Sequence, residues 1–131
     1  MKLTALAAAP FLLLPFCAPL PAQTYDHLPC AQWADEALDA GWQPADLERL
    51  LPIMWRESRC QPDAVRRNSR GGAVDVGLMQ INQVHRAELA KRGMVHDDMR
   101  DPDANLWFAR WLWQWHHNHD GCGWRPWRGR C

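Results

Sequence analysis

IMWRESRC at residues 53–60, followed by GGAVDVGLMQIN at 71–82, decides both the fold and the site. Helical positions seven apart nearly eclipse, at about 100° per residue. Glu57 follows Leu50 by seven and Met54 by three, so it shares the apolar stripe of Leu47, Leu50, Leu51 and Met54. Arg49 and Arg56 fall on the polar side. A carboxyl facing a desolvated wall is favoured in its protonated form. A protonated carboxyl near neutral pH is what general acid catalysis needs. Glu57 is therefore the candidate acid. The plainer alternative is a half-solvated glutamate at a helix end, paired with Arg59.

Asp75 is a second carboxylate, past the Gly71-Gly72 turn. A loop of this length can return the chain to the helix it left. Two carboxyl groups facing one cleft are the arrangement that cleaves a glycosidic bond. A turn-capping aspartate is the competing reading of Asp75. Gly77 permits close backbone approach or an unusual dihedral. Gln80 and Asn82 alternate with Met79 and Ile81, so the amides can face a sugar while the apolar pair faces inward. Ser58 reads as a hydrogen-bond partner near the acid rather than a nucleophile.

Working outward, the pattern is mainly α. Residues 31–40 have helical apolar spacing, and Gly41 ends the run. Pro44 to Ser58 is a second helical region, with a kink or break expected near Leu51 because of Pro52. Residues 59–74 read as a loop that can hold a short hairpin. Val84 to Arg92 is a short helix stopped by Gly93. Asp101-Pro102 opens a helix to about His117. Gly121, Gly123 and Pro126 make the tail irregular. The expected architecture is one small helical domain over 23–131 with a short loop or β-hairpin insert, stapled by disulfides.

Residues 1–22 differ from the rest. Lys2 precedes an apolar run from Ala5 to Phe16, broken by Pro10 and Pro15, and small residues precede Gln23. This predicts a secretory signal peptide, and Cys17 leaves with it. The run is too short and too broken to span a membrane. The protein is expected to be exported, periplasmic or secreted, without stable membrane insertion and as a monomer.

Cys30, Cys60, Cys122 and Cys131 then read as two disulfides. Three pairings are possible. Cys30–Cys131 with Cys60–Cys122 is the expected one, because joining the two ends constrains the unfolded chain most. No CxxC pair supports zinc. The cluster His116, His117, His119 and Asp120 is better read as a helix C-terminus, where the dipole favours charged imidazole, than as a metal site. No metal and no cofactor are expected. The chain has 15 basic and 15 acidic residues. Such a balance argues against a nucleic-acid partner.

The paired motifs resemble the lysozyme-like superfamily, and most closely its bacterial lytic transglycosylase domain. Members carry a catalytic glutamate followed by serine, here Glu57-Ser58, then a GLMQ-type run, here Gly77 to Asn82. Asp75 at the head of that run is similar to the C-type lysozyme pattern. Asp101-Pro102-x-x-Asn105 and Gly123-Trp124-x-Pro126-Trp127 fit the downstream helix and a tail of some secreted members. The resemblance covers about residues 45–127. It implies Glu57 as acid and then base, and peptidoglycan glycan strands as substrate. It leaves the outcome open. A transglycosylase closes an anhydro ring, whereas a lysozyme uses the second carboxylate and water. A silent glycan-binding or assembly protein on the same scaffold is the third reading.

Nine tryptophans are the compositional anomaly. WFARWLWQW, residues 107–115, is aromatic around much of a helix, which predicts central burial. The alternative is that Trp111 or Trp115 stacks on a sugar ring. Trp55, Trp124 and Trp127 are further candidates.

Overall fold

The computed structural model describes residues 24–67 and 72–131. The expected leader lies outside the described residues.

Helix α1 covers Ala34–Asp39 and is entered through a 3₁₀ turn at Ala31–Trp33. Helix α2 covers Pro44–Ser58. Proline at its first position suits a helix start, and the Gln43 N–H donates to Asp46 Oδ2 at 2.9 Å. Leu47, Leu50, Leu51 and Met54 are fully buried, so α2 is the spine of the core. The break expected at Pro52 does not occur. Pro52 lies on the exposed side of α2, where the carbonyl it leaves unpaired can face solvent. Arg59 and Cys60, with φ of 56° and 62°, end the helix in the left-handed region.

A three-stranded antiparallel sheet follows, built from β1 (Val65–Arg67), β2 (Val74–Val76) and β3 (Ile81–Asn82). The expected hairpin is present and extends through GLMQIN. Its register sets Arg66 opposite Asp75, and Asp75 opposite Asn82. Helix α3 (Arg86–Ala90) continues a 3₁₀ turn at Gln83–His85. Helix α4 (Pro102–Asp120) starts as expected, with Asp101 Oδ1 accepting the Ala104 N–H at 2.9 Å. It runs three residues past His117.

Asn105 of α4 joins helix to sheet. It is fully buried. Its Oδ1 accepts the Met79 N–H at 2.9 Å, and its Nδ2 donates to Val76 O at 3.1 Å and Met99 O at 2.8 Å. Gly77 makes room for this amide. A Cβ there would stand 1.9 Å from Met99 O and 2.2 Å from Asn105 Nδ2, at a φ of 83° that side chains resist.

The disulfides are Cys30–Cys60 and Cys122–Cys131, with Cα separations of 5.3 and 5.5 Å. The expected end-to-end pairing is therefore corrected. Unfolded-chain entropy favours long loops, but a bridge forms only where the fold sets two Cα atoms within about 7 Å. The Trp33 indole N–H donates to Cys60 O at 3.0 Å, which sets the start of the chain against the end of α2.

Central burial of α4 is also corrected. One face is buried through Leu106, Phe108 and Ala109, while Trp107 and Trp115 are 44% and 41% exposed. Cations and imidazoles cover parts of the outer rings. Arg92 lies 3.8 Å over Trp111, and His119 stacks on Trp115 at 4.3 Å. Trp42, Trp113 and Trp124 instead meet in a cluster, with centroids 5.5–6.3 Å apart. Among the described residues no helix is long and apolar enough to cross a membrane.

Candidate active site

A cleft of about 550 Å³ opens between the end of α2, the sheet and the C-terminal tail. The register explains its floor. Directly opposed residues of an antiparallel sheet share a face, so Arg66, Asp75 and Asn82 form one row across three strands. All three line the cleft, as does Glu57. The two carboxylates expected to face one cleft are therefore brought to it.

Glu57 is less apolar in its surroundings than its stripe predicts. Its side chain is only 17% exposed, but guanidinium groups meet it. Arg56 Nε and Nη2 donate to Glu57 Oε1 at 3.1 and 2.8 Å. Arg66 Nη1 lies 3.9 Å from Oε2, and Arg66 Nη2 donates to the Glu57 carbonyl at 2.6 Å. Arg56 lies on the exposed side of α2 as expected, and its guanidinium reaches across the helix end to the glutamate. Arg56 Nη2 also donates to Trp127 O. Arg59, the partner expected in the plainer alternative, instead lies 4.8 Å over Trp55.

Asp75 Oδ1 accepts from Asn82 Nδ2 at 2.6 Å, and Asn82 Oδ1 accepts the Val84 N–H at 2.9 Å. This chain of bonds holds the Asp75 carboxylate in place on the floor. Gln80 also lines the cleft. Its φ of 49° turns the side chain back, so that Nε2 donates to Ala64 O at 3.1 Å and Gly77 O at 3.0 Å. Its Oε1 is buried and has no hydrogen-bond partner among the described residues.

Other expected residues lie behind the cleft. Met79 is fully buried, and its carbonyl accepts the Trp127 indole N–H at 2.8 Å. Gly77 is buried against Asn105. Ser58 Oγ donates to Met54 O at 3.1 Å inside α2, away from the cleft. Trp111 and Trp115 are not among the residues lining it.

Sequence reasoning missed four polar lining residues: Arg56, Arg66, His85 and Arg128. The pairing of Arg66 with Asp75 could be found only once the hairpin register was known. Arg128 arrives because the Cys122–Cys131 bridge and the Trp127 bond fold the tail onto the sheet. His85 closes the far end and packs edge-on against Phe108 at 5.8 Å. Burial, and then the charge of nearby His116, holds its imidazole below the ordinary range. His116 Nδ1 pairs in turn with Asp120 Oδ2. Among the described residues no group of three or more His, Cys, Asp or Glu is placed to hold a metal ion.

Residues 39–125 match the family described as the transglycosylase SLT domain, and they include every element of the cleft except the last residues of the tail. The chain belongs to this family. The SLT match begins at the end of α1 and stops inside the tail that forms the third wall. The chain is also similar to the invasion protein IagB of Salmonella typhimurium and of Salmonella typhi, at 39% identity over 72 residues. That similarity covers 53% of this chain and 44% of each relative, so the chain matches less than half the length of these curated relatives. No solved structure matches.

Proposed function

We infer that this SLT-domain protein cleaves the β-1,4 bond between N-acetylmuramic acid and N-acetylglucosamine in peptidoglycan, as a lytic transglycosylase. The observation that carries the reading is the cleft in which Glu57 faces the row Arg66–Asp75–Asn82. The disulfides and the SLT match support action outside the cytoplasm, where disulfides persist and peptidoglycan lies.

In this reading the Glu57 carboxyl gives its proton to the glycosidic oxygen, and the bond from that oxygen to C1 breaks. The charge that develops at C1 is shared with the Asp75 carboxylate on the cleft floor and the newly ionised Glu57. Glu57, now ionised, takes the proton of the sugar's own C6 hydroxyl, and O6 closes on C1. The product ends in a 1,6-anhydro ring and no water is consumed. Asn82 fixes Asp75, and Gln80 holds the turn beneath the cleft through Ala64 O and Gly77 O. An entering glycan competes with Arg56 for Glu57.

Asp75 favours a second reading. A carboxylate held on the cleft floor can stabilise or trap the C1 cation while water attacks, which is hydrolysis. Mass spectrometry of digested glycan separates the two. Anhydro ends support the transglycosylase, products heavier by one water support the lysozyme, and intact strands leave only a binding role on this scaffold.

A further inference from the structure

A second cavity, of about 430 Å³, adjoins the cleft and shares Arg56 and Arg128 with it. Its wall holds four arginines, Arg49, Arg56, Arg128 and Arg130, against one acid, Glu48. The whole chain carries equal numbers of basic and acidic residues, so this is a local concentration of positive charge. Two of the four cations are occupied. Arg49 donates to the backbone oxygen of Arg130 and lies 4.9 Å over Trp124. Arg56 holds Glu57 and Trp127 O. Arg128 and Arg130 are exposed, and no hydrogen bond or ion pair of their guanidinium groups is found among the described residues. Glu48, the one counter-charge, is turned outward to His27 at 3.3 Å.

We propose that this cavity binds the carboxylates of the peptide that branches from the glycan, so that the enzyme distinguishes peptide-bearing strands from bare ones. The proposal rests on the glycan reading of the cleft. A peptide is joined to every second sugar of the strand, and the cavity opens beside the cleft with Arg56 and Arg128 common to both, within reach of such a branch. Guanidinium groups pair with carboxylates in a bidentate fork. The ligand is thus an acidic peptide covalently attached to the substrate, and the site adds selectivity without touching the reacting bond.

Two variants test the charge in opposite directions. Arg130→Glu reverses a free cation and keeps the Arg49 bond, which goes to the backbone. Glu48→Gln removes the lone acid and costs only an exposed pair. Titration with a soluble disaccharide-tetrapeptide and with the peptide-free disaccharide reads the site without cleavage. The peptide form binds more tightly to the unaltered protein. Arg130→Glu narrows that preference by about two- to fivefold, the range of one exposed ion pair, and Glu48→Gln widens it. Equal binding of both ligands, or a preference unmoved by both variants, overturns the proposal. Cleavage of peptide-bearing and amidase-stripped strands is measured alongside. A protein that prefers the peptide form but cleaves neither strand overturns the cleavage reading and leaves this cavity's role standing. One that cleaves both strands alike, with Arg130→Glu unchanged, overturns the cavity's role alone.

Discussion

Replacing Asn105 with alanine removes the joint between α4 and the sheet. The amide makes three hydrogen bonds, to Met79 N, Val76 O and Met99 O, and none of the residue is exposed. Alanine leaves one donor and two acceptors buried without it. Each orphaned group costs about 1–3 kcal/mol, and the carbonyls recover part of this by relaxing, so a total near 3–5 kcal/mol is expected. Small domains hold only about 5–15 kcal/mol, so this is a large share. Urea unfolding measures it directly, as a lower midpoint at unchanged slope. Asn105→Asp does not rescue, because its oxygens can accept the Met79 N–H but face two carbonyls without a donor. Activity falls as well, since the same turn carries Gln80 and Asn82 into the cleft. A loss under about 1 kcal/mol for Asn105→Ala would refute the reasoning that the turn is held by this amide.

Gly77→Ala acts on the same joint from the other side and is expected to lose at least as much stability, because its Cβ collides with Met99 O and with the Asn105 amide; thermal unfolding reads it. Peptide mapping without reductant is expected to recover Cys30 with Cys60 and Cys122 with Cys131, and the double serine variant of the first pair loses about 3–4 kcal/mol for a loop of 30 residues. His85 gives a pH signature. Its imidazole is held below the ordinary value of 6.5 by burial first, then by His116 and more weakly by His96, against an opposing pull from Glu88. The unfolded chain therefore takes up this proton first as pH falls, and the native state loses stability from about pH 6.5 downward to its own lower pKa. His85→Gln is expected to flatten the fall in melting temperature over that interval; an unchanged slope counts against the burial of His85 as its cause.

Much of the scaffold was legible because its signals are local. The stripe from Leu47 to Met54 and the Asp101-Pro102 cap each name an element without reference to the rest of the chain. The alternation of Met79 and Ile81 with Gln80 and Asn82 foretold which side chains face inward, and the burial of the apolar pair agrees. The misses are long-range. Arg56 and Arg66 reach Glu57 through flexible side chains whose direction no periodicity encodes. The disulfide pairing depended on where the tail docks, which Trp127 and Met79 decide together. The intrinsic cost of Pro52 predicts a kink or break, whereas its place on the exposed side lets α2 continue. The aromatic spacing of α4 predicts a core helix, but it does not encode the arginine and histidine that cover the outer rings.

The account stands on the Glu57 proton. Dye release from labelled cell-wall sacculi, comparing the protein with Glu57→Gln, tests it most directly, with circular dichroism showing both folded. Glutamine keeps the size and a hydrogen-bonding amide but cannot deliver or reclaim the proton, so release is expected to fall by about 10²–10⁴-fold. Release by Glu57→Gln at the rate of the unaltered protein would contradict the account.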